Sequence, residues 1–372
     1  MSFCSHYAAK KCTSCTTIDI DYAKQIEAKE SFLHELLDSF EPHIWHESVK
    51  SPLFGFRNKA KMVAIPSAKG VLLGLNTHTS LIDCPLYPKE MQDVLYSVQS
   101  WLRELDIKAY DVPKKKGELK YVLLTRSSYD GSMMLRFVLR SHGIIPRLKK
   151  ALERLRAQCP QLKVISVNIQ NDHKAVIEGD EEIFLSEAHT LEERLNSIPL
   201  FIRPKSFFQT NTDVAQQLYA KAAKIVDEID AKNIWDLFCG VGGFALHCAS
   251  EGRHITGIEI EQEAIACAKA SACELGFESL HFKALDTANF SKTKGDTPDV
   301  IIVNPPRRGL GKELCEWLES IKAPHILYSS CNPETLARDL KELKGYKLMQ
   351  VQLFDMFPHT QHYEVLNLLK KI

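Results

Sequence analysis

Nowhere in this sequence do apolar residues run on for the ~18 positions that a membrane-spanning helix needs. The opening residues, Met1-Ser2-Phe3-Cys4, lack the charged start and apolar core of a secretory leader, so a cytoplasmic location is expected. Net charge is missing as well: 47 Lys and Arg are balanced by 47 Asp and Glu. No overall field draws an acidic partner, so a nucleic acid would need a local basic patch. Internal repeats and low-complexity segments are absent. The glycine-rich turn at Gly240 lacks the G-x-G-x-x-G spacing, and no helix-start lysine follows it. Both gaps count against a nicotinamide dinucleotide or ATP. The C-x3-C-x2-C spacing of radical enzymes that use S-adenosylmethionine (SAM) is absent too.

What remains is a globular composition, 45% hydrophobic and 25% charged, over 372 residues. That length favours two domains over one. A cytoplasmic chain with 11 cysteines is expected to use them for metal binding or catalysis rather than disulfides. Cys4, Cys12 and Cys15 form C-x7-C-x2-C, and Cys84, before Pro85, can supply a fourth ligand. Soft thiolates select zinc or an iron–sulfur cluster. Zinc sites commonly carry two C-x2-C pairs and this chain has one, so a [4Fe–4S] cluster is favoured. Unliganded surface thiols are the plain alternative. A cluster here would be structural or redox-sensing, closing a long loop.

The middle of the chain reads as α+β. Ala23 to Phe40 has helical periodicity. Phe56 to Val63 alternates as a strand, with Arg57, Lys59 and Lys61 on one face and Val71 to Leu75 as its hairpin partner. Lys114-Lys115-Lys116 opens the strand Tyr121 to Thr125, and Met134 to Arg140 is a strand with Arg136 and Arg140 on one face. Pro146 to Leu155 is a basic amphipathic helix; Val164 to Ile169 and Glu182 to Leu185 are further strands. The basic faces suggest an RNA-contacting surface that works through phosphates, against the simpler reading of solvated strand faces. Phe201 to Phe208 reads as a linker into a second domain.

From Val214 helices and strands alternate, the pattern of a doubly wound α/β sheet. Asn233 to Phe238 runs into Cys239-Gly240-Val241-Gly242-Gly243, where glycines let backbone approach a ligand. Glu259 lies about twenty residues on, where an acceptor for a ribose hydroxyl belongs. Asp286 and Asn304-Pro305-Pro306 close two further strands. A ligand with ribose and adenine but no phosphate, SAM, fits this set best. Asn-Pro-Pro followed by an aromatic marks methylation of exocyclic amines. Here Arg307 and Arg308 follow, which leaves a carbon target, and carbon needs a nucleophile.

Cys331 is the candidate. His325 to Tyr328 reads as a buried parallel strand, Asn332 as a helix N-cap and Pro333 as the first helical residue. Cys331 then sits at a sheet's carboxyl edge, where free N–H groups and the helix dipole favour a thiolate. A small buried cysteine is the alternative. Glu364 opens the apolar strand Val365-Leu366-Asn367-Leu368, and partial burial would raise its pKa and suit it as a general base. His359, His362 and Glu364 lack the helical H-x3-H spacing expected of metal ligands.

These motifs together resemble one family, the uracil-C5 RNA methyltransferases, over nearly the whole chain. The resemblance is carried by the four N-terminal-region cysteines, Phe56-Arg57-Asn58-Lys59-Ala60-Lys61 and Ser206-Phe207-Phe208-Gln209-Thr210-Asn211. It is carried equally by Asp236-Leu237-Phe238-Cys239-Gly240, Asn304-Pro305-Pro306-Arg307-Arg308-Gly309, Ser329-Ser330-Cys331-Asn332-Pro333 and His362-Tyr363-Glu364. It implies a Rossmann-like SAM-dependent methyltransferase domain at the C-terminus, preceded by a smaller α+β RNA-contacting domain with an N-terminal iron–sulfur loop. The expected boundaries are 1–48 for the cysteine-rich segment, 49–200 for the RNA-binding domain and 201–372 for the methyltransferase domain. It further implies a [4Fe–4S] cluster on Cys4, Cys12, Cys15 and Cys84, SAM contacts from Gln209, Phe238, Glu259 and Asn304, Cys331 as nucleophile and Glu364 as base. The family often has Asp where this chain has Asn304. The chain begins at the cysteines, so no TRAM domain is expected. The tRNA enzyme of the family lacks the cysteine set, so the two departures together point to the branch acting on 23S rRNA, at the uridine in position 747, with no obligate protein partner expected.

The chemistry this implies is covalent. A thiolate at Cys331 adds to uracil C6 and loads electron density onto C5, which takes the methyl of SAM. Glu364 then removes the C5 proton and the thiolate leaves. A cytosine-C5 RNA methyltransferase would use the same logic, and a silent RNA-binding scaffold would keep the fold without the reaction.

Overall fold

The computed structural model describes residues 4–75, 79–172, 177–285 and 297–372. Asp286 lies outside the described residues. The chain begins with helices α1 (Ser5–Ala8) and α2 (Tyr22–Leu37) and the short strand β1 (Ile44–Trp45). The hairpin β2 (Lys59–Ser67) and β3 (Gly70–Gly74) precedes helix α3 (Lys89–Glu104). Strands β4 (Leu119–Arg126) and β5 (Met133–Leu139), helix α4 (Ile145–Gln158), and strands β6 (Leu162–Ile169) and β7 (Glu181–Phe184) follow. Next come β8 (Leu191–Leu195), β9 (Ile198–Ile202), α5 (Thr212–Glu228), β10 (Asn233–Leu237), α6 (Gly243–His247), β11 (His254–Glu259), α7 (Gln262–Leu275) and β12 (Leu280–Ala284). The last elements are β13 (Val300–Val303), α8 (Lys312–Ile321), β14 (His325–Ser330), α9 (Pro333–Glu342), β15 (Tyr346–Phe354) and β16 (Glu364–Lys371).

Packing divides the chain into two compact units: Met1–Cys15 with Leu53–Glu193, and Thr16–Pro52 with Arg194–Ile372. In the first, six strands run in the order β3-β2-β4-β5-β6-β7. The alternation along β2 holds: Ala60 and Met62 enter the core while Lys61 points to solvent. Helices α3 and α4 cover that apolar face with Met91, Leu95, Val98, Leu148 and Leu155. Strands β5 and β6 pair in parallel, and α4 is the crossover that a parallel pair requires.

The second unit holds eight strands in the order β1-β15-β16-β14-β13-β10-β11-β12. Strands β10 to β14 are parallel, and β16 inserts antiparallel between β14 and β15. The central strands read as near-continuous apolar runs, as sheets covered on both faces must: Val300 to Val303 are all buried. Strand order reverses at β10, with β11 on one side and β13 on the other, so a ligand crevice is expected at their carboxyl ends. Leu33 and Leu37 of α2 share the core that holds Ile301, Ile326 and Leu336. Phe201, read as the start of a linker, lies inside β9, where Leu200 and Ile202 are buried. No helix among the described residues is long and apolar enough to cross a membrane.

Candidate active site

Strand β14 ends at Ser330, and the next two residues turn the chain into α9. Ser330 Oγ accepts from Asn332 N at 3.2 Å, and Asn332 Oδ1 caps the helix by accepting from Glu334 N at 3.1 Å. Pro333 occupies the first turn, where it gives up no hydrogen bond. Cys331 is thus half-buried at the strand–helix junction that the sequence pattern indicated.

Glu364 arrives from the other direction. Strand β16 pairs antiparallel with β14, and the last pair of that ladder is Ser330 with Val365. One step further lie Cys331 and Glu364. The Glu364 carboxyl is 2% exposed and accepts a hydrogen bond from Ser329 Oγ at 2.5 Å. Burial pushes its pKa up to about 7, against the pull of the Ser329 hydroxyl. The thiol departs from expectation: its pKa is raised, not lowered. Burial is the largest cause and the Glu364 charge the next; the Arg307 guanidinium, which hydrogen-bonds the sulfur, and a backbone hydrogen bond act the other way. The start of α9 favours a thiolate, but desolvation and the carboxylate outweigh it.

Arg307 is held from behind. Its carbonyl accepts from Asn332 Nδ2 at 3.1 Å and from Thr335 Oγ1 at 3.2 Å. The loop it belongs to is tied to α9 through buried Asp339, which accepts from Leu310 N and from Tyr328 Oη, each at 2.7 Å. In the sequence Arg307 stands out only where an aromatic is missing, which assigns it no role; its reach to the sulfur is a tertiary fact.

The glycine turn and its neighbours lie at the adjoining strand ends. Phe238 follows β10 with a left-handed φ of 64°, and Gly240 and Gly242 keep the turn left-handed at 55° and 86°. A side chain at Gly242 would press on Leu246 and Phe282. Glu259 ends β11, and its carboxylate accepts from Gly240 N at 3.1 Å and from Ile260 N at 2.8 Å. Asn304 follows β13 and donates its backbone N–H to Leu237 O at 3.4 Å. Gln209 is buried in the segment before α5, and that segment nears the glycine turn: a Cβ on Gly240 would stand 4.0 Å from Phe207 O. Beneath the turn Asp236 is fully buried, its pKa pushed up to about 8 by desolvation, with Oδ2 accepting from Ala245 N at 3.0 Å. Phe238, Glu259 and Asn304 therefore stand at the carboxyl ends of three adjacent strands.

Nothing in the residue pattern reveals how α2 serves the site, because its partners lie some 300 residues away in the chain. Lys29 is buried and donates to Asp355 Oδ1 at 2.6 Å and to the carbonyls of Phe357 and His362 at 3.2 Å. Tyr22 Oη donates to Asp355 Oδ2 at 2.8 Å. These bonds fix the loop that delivers Glu364. A cavity of about 580 Å³ opens between this helix, the loop and Cys331. Buried His359 faces Gln25 Nε2 at 3.4 Å.

In the first unit Cys4 and Cys15 are buried, and Cys12 and Cys84 half-buried. Burial and mutual repulsion push Cys15 up to about 11 and Cys84 up to about 12. The four thiols are thus gathered near one another. Among the described residues no group of three or more His, Cys, Asp or Glu stands ready to hold a metal ion. The basic strand faces are only partly free. Arg136 is 2% exposed, doubly bonded to Glu182 and paired with Glu178 at 2.8 Å. Arg140 pairs with Glu118 at 2.6 Å. A buried arginine needs such partners, so Arg136 offers no charge to a phosphate.

A sequence model of the family described as tRNA (Uracil-5-)-methyltransferase matches residues 138–372. A chain from Escherichia fergusonii named 23S rRNA (uracil(747)-C(5))-methyltransferase RlmC is 52% identical over 99% of this chain and 99% of its own. One of the same name from Shewanella pealeana is 51% identical with the same coverage. Among solved structures, the tRNA (uracil-54, C5)-methyltransferase of Pyrococcus abyssi in complex with S-adenosyl-L-homocysteine superposes with a TM-score of 0.80. It is 29% identical, over 95% of this chain and 85% of that one.

Proposed function

This chain belongs to the uracil-C5 RNA methyltransferases, and from that we propose that it forms 5-methyluridine in 23S rRNA, at position 747 as its relatives' names state. The observation that best supports the reading is the meeting of Cys331 with buried Glu364, one register step beyond the β14–β16 ladder. Cys331 is the nucleophile and Glu364 the base. Gln209, Phe238, Glu259 and Asn304 hold SAM, the methyl donor. The reaction runs in the cytoplasm.

Two nearby groups that both ionise repel each other, so the site works best if they are never charged together. With Glu364 neutral, which its pKa of about 7 allows, the Cys331 thiol gives its proton to water and the Arg307 guanidinium stabilises the thiolate left behind. The thiolate adds to C6 of the uracil and its charge passes into the ring as an enolate. C5 then takes the methyl of SAM, and S-adenosylhomocysteine leaves. The ring is now neutral, nothing repels the carboxyl, and Glu364 releases its proton to water. Its carboxylate removes the C5 proton, the C6–S bond breaks and the thiolate is restored. The uracil has to be unstacked, since C6 is otherwise covered. Thiolate formation accounts for a small part of an acceleration that begins at ~8 kcal/mol. Holding sulfur, ring, methyl and carboxylate in line can supply ~7–11 kcal/mol.

The proposal includes a [4Fe–4S] cluster on Cys4, Cys12, Cys15 and Cys84. Four soft thiols in one unit are the donor type that group takes, and a hydrogen bond between His6 and Asp83 at 2.7 Å ties α1 to the turn before Cys84. When bound, the cluster supplies a cross-link between the chain's start and that turn. No step of methyl transfer runs through it. RNA contact is assigned to Arg57, Lys59 and Lys61 on and beside β2 and to Lys116 in the loop before β4.

The test is tritium release from 23S rRNA transcript carrying 5-tritiated uridine, together with mass spectrometry of the product nucleoside. Wild-type protein releases tritium and yields 5-methyluridine. Cys331→Ser releases none while binding SAM normally by calorimetry. Appearance of 5-methylcytidine, or turnover by Cys331→Ser, refutes the reading.

A further inference from the structure

The helix α2 has three stripes. Ile26, Leu33 and Leu37 enter the core, and Gln25 and Lys29 are engaged by the loop that carries Glu364. The third stripe is Lys24, Ala28 and Phe32, spaced four apart and all exposed, so they stand one above another on a single face. All three line the cavity of about 580 Å³ that ends on Cys331. Phe32 is 40% exposed, and Ile20, just before the helix, is 45% exposed and lines the same cavity. Two large apolar side chains left in water beside a reactive thiol are unexplained by folding.

The cavity does not hold the reacting ring. That ring has to touch Cys331, Glu364 and the methyl donor at once. Of these groups only Cys331 is among the cavity's described lining residues; Glu364, Phe238, Glu259 and Asn304 are not. What the cavity has is positive charge from Lys24 and Arg307, with Glu334 the one acid among its described lining residues. Its volume lies in the ~300–1,000 Å³ range of pockets that enclose a small ligand. An RNA strand that delivers one base to Cys331 must continue past it, and its next base, pulled from the stack, needs an aromatic face and a cation for its phosphate.

Resting on the function proposed above, we propose that this cavity is a second nucleotide subsite. It takes a base flanking the target uridine, stacked on Phe32, with its phosphate near Lys24. Its role is to offset the unstacking and to fix the strand's register, so it contributes to site choice.

The experiment measures RNA affinity by fluorescence anisotropy on full-length protein. The probe is an oligoribonucleotide spanning position 747 of 23S rRNA, alongside versions with a single abasic site at each flanking position. Phe32→Ala raises Kd about 5- to 150-fold, the span that loss of one base–aromatic stack produces. Phe32→Trp keeps wild-type affinity and Phe32→Leu behaves like Phe32→Ala. One abasic position weakens wild-type binding by the same factor and has no further effect on Phe32→Ala. Unchanged SAM binding by calorimetry shows that the variants are folded. Phe32→Ala within twofold of wild type, or Phe32→Leu as good as Phe32→Trp, overturns the subsite. So does the absence of any abasic position coupled to Phe32, as when a protein rather than a nucleotide covers the face. Wild-type protein that fails to methylate this RNA sinks the function and the subsite together; methylation with an indifferent Phe32 sinks the subsite alone.

Discussion

Replacing Glu364 by glutamine separates what the carboxyl does for chemistry from what it costs the fold. The folded-state pKa is about 7 against an ordinary 4.5, a difference of roughly 2.5 units. At ~1.36 kcal/mol per unit, ionising this buried group costs the folded state about 3 kcal/mol. Because the folded pKa is the higher one, the native protein keeps its proton while the unfolded chain loses it above pH 4.5. Below that pH there is no penalty; it grows through the window and is complete above about pH 7. The substituted glutamine carries no penalty at any pH, and its amide oxygen can still accept from Ser329. Glu364→Gln should therefore melt with wild type at pH 4.5 and above it at pH 8.5, by roughly 6–12 °C for a unit of this size. The same variant should stall after methyl transfer and leave a covalent protein–RNA adduct on a denaturing gel. Thermal unfolding followed by circular dichroism at half-unit pH steps reads the first effect. Parallel melting curves for the two proteins across the whole range would mean that the carboxyl is not buried and raised, and Glu364 would lose its role as base.

In the other unit, Arg57→Ala, Lys59→Ala and Lys116→Ala combined should lower RNA affinity and flatten its salt dependence, by a slope of ~0.7 for each phosphate no longer neutralised on a single strand. An unchanged slope, measured by anisotropy between about 50 and 200 mM salt, removes these residues from the interface. Cys84→Ser in protein purified without oxygen should cut bound iron and sulfide and lower the melting temperature, since a link from Cys4 to Cys84 restrains a long loop. Full iron content would exclude Cys84 as a ligand.

Local grammar is legible wherever neighbours in sequence decide the outcome. The turn at Cys331 reads off four residues, because strand, cap and proline act within one turn of chain. The alternation of β2 tells which face Arg57, Lys59 and Lys61 share, because a strand's period is two. The raised pKa of Glu364 is foreseeable from the apolar strand it opens. Arg136 is not read correctly this way, because its pattern gives a face but not an occupant: Glu178 and Glu182 arrive from a later strand and its approach. The thiol escapes for the same reason, since both the burial that raises it and the carboxylate that repels it, Glu364 on a later strand, come from tertiary packing.

By itself, then, the order of residues determined the alternation of strands and helices, the glycine turn, the N-cap beside Cys331 and the candidate base. Those depend on covalent neighbours and short-range sterics. Tertiary structure alone decided that α2 braces the loop of Glu364 through Lys29 and Asp355, that Arg307 reaches the thiol, and that the thiol's pKa rises rather than falls. Charge and desolvation act through space, and the groups that set them are brought together only when the sheet closes.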